Sequence, residues 1–144
     1  MNIVGFNFSK LSAERKKAVV GQVNIKNNIT INDVKQAKLG MGVGQGAVSI
    51  KFVFVNEYEP DMALMKMEGE ILILSEEKQT KAIMKKWKEG NKMLPEVGQM
   101  VMNQILNRCN IQALLFSKDL NLPSPVPMPR VKAQEQKKAK KKKK

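Results

Sequence analysis

The sequence predicts an α+β fold that carries an extended basic tail. Period-two alternation of apolar and polar residues recurs through Leu74, two stretches of helical periodicity follow, and Arg130 to Lys144 is mostly lysine. Strands followed by helices, rather than the two alternating, point to an antiparallel sheet with helices segregated from it.

Taken in order, Ile3 to Phe8 alternates weakly, and Ser9 to Arg15 reads as a turn or short helical passage. Its basic triplet Arg15, Lys16 and Lys17 is read as solvated surface, with phosphate contact as the other reading. From Val19 the alternation is clearer. Val19, Gly21, Val23, Ile25, Ile29, Ile31 and Asp33 interleave with polar positions, which predicts a half-buried strand kinked near Asn27-Asn28. Gly42, Gly44 and Ala47 satisfy a loose G-x-G-x-x-A phosphate-loop pattern, but that motif needs a helix after it. Here the β-branched run Val48 to Val55 follows, so nucleotide binding is rejected and the glycines are read as a connection between strands. Val48 to Val55 and Met62 to Leu74 form two antiparallel strands joined through Asn56 to Asp61, with Pro60 and Asp61 supplying the turn.

Ser75 is the expected cap of a first helix, with Glu76 and Glu77 in its first turn. At about 100° per residue Ile83, Met84 and Trp87 share one side, and Lys78, Lys81, Lys85 and Lys88 share an adjacent one. That lysine side is either a second phosphate contact or a solvated face. Gly90 ends the helix. The second helix runs from Leu94 to about Leu120, with Pro95 tolerated in its first turn. Val97, Val101, Ile105, Cys109, Ala113 and Phe116 form its apolar stripe. Met93, Met100, Met102, Leu106, Leu114 and Leu115 widen that stripe, so the helix is expected to be largely buried.

Beyond it, Pro123, Pro125, Pro127 and Pro129 alternate with other residues. Such a run sits extended at about 3.1 Å per residue, and it serves as a stiff spacer or as a ligand for an SH3-like or WW-like groove. Charge sets the role of the end. The chain carries 26 Lys+Arg against 13 Asp+Glu, a net charge of +13, and no histidine. Arg130, Lys132, Lys137, Lys138, Lys140, Lys141, Lys142, Lys143 and Lys144 stand against Glu135 alone, nine minus one or +8, which leaves 17 minus 12 or +5 for the rest. A block of that density buries nothing and repels itself, and a polyanion neutralises it with release of counterions. Lysine supplies a point charge, suited to phosphate backbone rather than base reading. A solubilising tail or a contact with an acidic membrane are the other readings.

Other chemistry is sparse. The one cysteine, Cys109, falls on the apolar stripe and reads as a core thiol in a reducing compartment. Glu57, Glu59 and Asp61 form the one tight carboxylate group, on a turn, and read as surface. No nucleophile is paired with a base, no metal-ligand set is present, and nowhere do about 18 apolar residues run uninterrupted. The expectation is a soluble, intracellular protein with no cofactor and no membrane partner.

The hairpin Val48 to Leu74, the stretch Asn91 to Arg108 and the exit Leu120-Asn121-Leu122-Pro123 resemble the SecB protein-export chaperone fold, over Ile3 to Pro129. The resemblance implies a twisted antiparallel four-stranded sheet with two helices packed on one face, and domains able to assemble through sheets or helices. The proline run and the lysine block mark off a spacer over 123–129 and a tail over 130–144 from the domain over 1–122. Function does not follow from fold. The export chaperone is acidic and offers unfolded chains an aromatic-lined groove, whereas this chain is basic and has seven aromatic residues. In composition it is similar to small basic archaeal proteins, of which ribosomal proteins are the commonest. The first expectation is therefore a ribosomal or ribosome-associated cytoplasmic protein that contacts rRNA and neighbouring ribosomal proteins. The tail is its main RNA contact, and Lys78, Lys81, Lys85 and Lys88 a secondary one. The alternative is a SecB-like holdase that binds nascent or unfolded polypeptide, for which ten methionines offer an adaptable apolar surface. An enzyme is the third reading.

Overall fold

The computed structural model describes residues 1–18, 21–37 and 44–127. Four strands, β1 (Asn2–Arg15), β2 (Asn24–Ala37), β3 (Gln45–Glu59) and β4 (Ala63–Glu76), are followed by α1 (Glu77–Lys88) and α2 (Pro95–Asp119). The strands form one antiparallel sheet in the order β1-β4-β3-β2, so β3 and β4 lie in the centre and β1 and β2 at the edges. Both helices lie on one face.

Alternation builds that face. Along β4 every second residue from Ala63 to Ser75 is buried, and those between are half-covered. The facing positions of β3, Val48, Ile50, Phe52, Phe54 and Tyr58, are buried as well. Cross-strand register joins them: Ile50 lies opposite Ile71, Phe54 opposite Met67 and Tyr58 opposite Ala63. Each such side chain contributes roughly 1.5–3 kcal/mol when removed from water. Two glycines let the layers close. A Cβ on Gly69 would stand 2.6 Å from the Asn7 carbonyl oxygen and 2.7 Å from the Phe52 ring, so the ring lies directly over the bare backbone. A Cβ on Gly46 would strike the Thr80 hydroxyl of α1.

Several expectations are corrected. Ser9 to Arg15 is neither turn nor helix but the second half of β1. Register irregularities between Ile3 and Gly5 and between Phe8 and Lys10 shift the pleat phase twice. Ile3, Phe6, Phe8, Leu11 and Ala13 therefore share the helix side although they do not alternate strictly. β2 begins at Asn24, pairing is continuous through Asn27 and Asn28, and the irregularity falls between Ile31 and Asp33. It removes Asp33 from the apolar face and puts Val34, which is buried, in its place. Ser75 does not cap α1. It ends the buried row of β4 and shares a 2.7 Å hydrogen bond with the Thr80 hydroxyl, while Glu76 holds the N-cap position without a side-chain bond. Of the glycine stretch, Gly44 turns with φ 82° into β3, and residues 40–43 lie outside the described residues.

After α2 the chain turns back across the end of the sheet. The Arg15 guanidinium donates to the Leu120 carbonyl at 3.1 Å, the Leu122 amide donates to the Ser117 carbonyl at 2.8 Å, and the Tyr58 hydroxyl donates to the Pro123 carbonyl. Leu122 is buried in the core cluster. The proline segment then bends at Pro125 and Val126, where the Ser124 hydroxyl meets Val126, and Ser124 to Val126 are half-buried.

Candidate functional site

The second helix divides the helix side of the sheet into covered and uncovered parts. α2 buries every fourth residue, Val97, Val101, Ile105, Cys109, Ala113 and Ser117. Four residues turn about 400°, so the buried line advances about 40° with each turn and runs obliquely around the helix. The expectation of a largely buried helix is corrected accordingly, because one row is buried and its neighbours are not. Ser117 takes the place expected for Phe116, and Leu106, Ile111 and Leu115 are 39%, 54% and 49% exposed.

The rows to either side of the buried one point in known directions. One place earlier stand Met100, Gln104, Arg108, Gln112 and Phe116. The Arg108 guanidinium lies over the Phe6 ring, 5.4 Å from its centroid, so this row faces β1. One place later stand Met102, Leu106, Asn110 and Leu114, about 200° around the helix from the Arg108 row and so on the flank away from β1. Because α2 packs on the central strands, the helix-side residues of both edge strands border clefts along its flanks. The β1 cleft is aromatic. Phe6 meets Phe8 edge-to-face at 5.1 Å and tilts on Phe52 at 5.3 Å, and Leu11 is 41% exposed. Along the β2 flank the half-buried strand residues are aliphatic, Ile25, Ile29 and Ile31, and Leu106 is exposed on the row of α2 turned away from β1.

The ends of the β2 cleft are set by other elements. α1 packs against β2 near Gln36, and at the far end Ile25 lies opposite Tyr58, whose hydroxyl holds Pro123. Among the described residues β2 pairs with β3 alone, which leaves its outer row of amides and carbonyls open. An apolar trough beside an open strand edge takes an extended peptide by two means at once: backbone hydrogen bonds to the edge and alternate side chains in the trough.

The predicted site residues fall in different places. Lys78, Lys81, Lys85 and Lys88 are exposed on α1, and Lys81, Lys85 and Lys88 border Gln36 of β2. One ion pair touches that group, Lys81 to Glu77 at 3.9 Å. The main group, Arg130 to Lys144, lies outside the described residues. Glu59 and Asp61 are surface groups in ion pairs, with Lys26 at 3.0 Å and Lys16 at 2.9 Å, and the bond from Lys16 holds the Asp61 carboxyl below its ordinary value. Cys109 is buried, and burial pushes its thiol up to about 12, which leaves it protonated and inert at neutral pH. Among the described residues no group of histidine, cysteine and carboxylate side chains comes together to hold a metal, and no helix is long and apolar enough to cross a membrane. The cleft residues escaped notice because Met102, Leu106 and Leu114 read as stripe-wideners. Their four-residue spacing, one place out of step with the buried row, is the signal that separates them.

No protein-family model and no curated protein sequence matches the chain. Among solved structures it is similar to the Mycobacterium tuberculosis Rv1957 SecB-like chaperone, described in complex with a ChAD peptide from the Rv1956 HigA1 antitoxin. The two share 13% identity and a TM-score of 0.53, over 91% of this chain and 90% of that one. At that identity the likeness speaks for architecture, and the chain has a SecB-like fold.

Proposed function

We propose that this protein is a holdase that binds extended, apolar segments of unfolded polypeptides along the flanks of α2. The observation that carries the reading is the half-open apolar row on the edge strands: Ile25, Ile29 and Ile31 on one flank of α2, and Phe6, Phe8 and Leu11 on the other. The similarity to a SecB-like chaperone described with a bound peptide supports it, and supports it better than it does a ribosomal role. The test is suppression of light scattering by an aggregating client at increasing protein. Stoichiometric suppression is expected, weakened by Leu106→Asp, an exposed position, at unchanged thermal stability. A client that aggregates at the same rate with and without the protein sinks the reading.

A second reading concerns the lysine-rich end, and its support is the +8 charge of residues 130–144. Arg130, Lys132, Lys137, Lys138 and Lys140 to Lys144 bind phosphate backbone, with rRNA as the abundant cytoplasmic source. Each neutralised phosphate steepens the fall of affinity with salt by about 0.7–0.9 in the log-log slope. Deleting 130–144 is expected to flatten that slope. A slope unchanged by the deletion moves the contact to Lys78, Lys81, Lys85 and Lys88, or removes it.

A further inference from the structure

Resting on the polypeptide-binding reading, we infer that the β2 cleft selects clients whose apolar segment is followed by acidic residues, which the lysines of α1 receive. The apolar row of β2 does not simply stop. Ile25, Ile29 and Ile31 share the helix side with Val34 and then Gln36, which lies opposite Val48. Gln36 borders a shallow concavity with Lys81, Met84, Lys85, Lys88 and Glu89. The trough is thus hydrophobic along most of its length and cationic at the end that α1 closes.

Spacing makes one ligand able to use both parts. From Ile31, opposite Phe52, to Gln36, opposite Val48, the bulge leaves four pairing steps, about 13 Å of strand at roughly 3.3 Å each. An extended client that runs parallel to β2 and seats its last apolar side chain at Ile31 carries its third to fifth following residues past the lysines. Carboxylates at those positions meet three ammonium groups and a single carboxylate, Glu89. Lys85 and Lys88 have no ion-pair partner among the described residues, and Lys81 has the long contact with Glu77 alone. Placing like charges three and four residues apart on one helix face costs stability. The dipole at the C-terminal end of α1 offsets this for Lys85 and Lys88 but not for Lys78 and Lys81 nearer its start. An anionic ligand relieves the repulsion. The adjoining apolar trough favours a polypeptide over a nucleic acid, whose evenly charged backbone has nothing to place against Ile25, Ile29 and Ile31.

The experiment uses the whole chain and three labelled peptides with one apolar core, followed by five glutamates, five glutamines or five lysines. Anisotropy titrations compare the natural sequence with Lys81→Gln/Lys85→Gln/Lys88→Gln. A control, Lys10→Gln/Lys51→Gln/Lys66→Gln, removes the same net charge from strand positions. The glutamate peptide is expected to bind about five- to tenfold tighter than the glutamine one, which is what two or three exposed ion pairs supply. That preference should vanish in the α1 variant and survive in the control. Equal binding of the glutamate and glutamine peptides overturns the inference and leaves the holdase reading standing. A preference lost equally in both variants also overturns it, because attraction would then come from net charge. Loss of single-stranded oligonucleotide binding in the α1 variant, with peptide preference unchanged, assigns the lysines to phosphate instead. If none of the peptides binds, both readings fall.

Discussion

The central and edge strands present the same kind of residue to the same side of the sheet, yet they meet opposite fates. Under α2, Ile50, Phe54, Met67 and Ile71 are fully buried, while Ile29, Ile31, Phe6 and Phe8 on the edges remain half-open. The difference is not hydrophobicity but cover, since one helix is too narrow to span four strands. A fold of this kind divides its apolar surface into a part that stabilises the domain and a part left available to a partner.

Adjacent residues on α2 give the sharpest way to break that comparison. Ile105→Ala, on the buried row, should cost about 2–5 kcal/mol in urea unfolding, whereas Leu106→Ala should stay within about 0.5 kcal/mol and lower client affinity instead. Equal losses at the two sites would mean that the flank is core. Gly69→Ala forces a methyl between the Asn7 carbonyl and the Phe52 ring, and a cost of about 1–3 kcal/mol is expected; a neutral result would show that the edge strand β1 moves aside freely. Asn56 offers a change of opposite sign. It is fully buried on β3, its amide nitrogen finds the Met65 sulfur at 4.0 Å, and its carbonyl oxygen has no partner. Asn56→Leu, with the same number of side-chain heavy atoms, should gain about 1 kcal/mol by removing an unsatisfied acceptor, and a loss would point to a bound water or to crowding by the larger methyl groups.

The smallest effect comes from pH. Burial raises the Cys109 thiol from 9.0 and the Tyr58 hydroxyl from 10.0, each to about 12. The unfolded chain therefore releases these protons before the folded one does. The stability tied to them is intact below about pH 9 and is lost as pH climbs toward 12. Melting temperature should fall by a few degrees as pH rises past 9, and Cys109→Ala should delay the onset by about one unit. An onset unmoved by that substitution would leave Tyr58 and the surface lysines as the cause.

Legibility followed the same division. The bodies of β3 and β4 were plain in the sequence because both lie in the middle of the sheet and alternate, although β3 runs on to Glu59 through residues read as the connection. β1 was not, since its bulges displace the apolar phase at Val4 and Ser9, and alternation read residue by residue sees only disorder there. The buried row of α2 was readable from Val97 to Ala113, but which neighbouring row is left open depends on how many strands the helix covers, and one chain's periodicity does not contain that. The lysine row on α1 was legible because charge spaced at three and four residues needs no partner to define a face. Its closeness to Gln36 depends on where α1 settles on β2.

The clasp after α2 has a further consequence, for the time at which this domain can form. Arg15 bonds Leu120 across 105 residues, and Tyr58 bonds Pro123 across 65. Contacts so distant in sequence slow folding, because a long loop must close before they return anything. The sheet cannot be sealed until residue 123 has been made. A chain proposed to shelter unfolded polypeptides is thus one of them itself until Pro123 has been made.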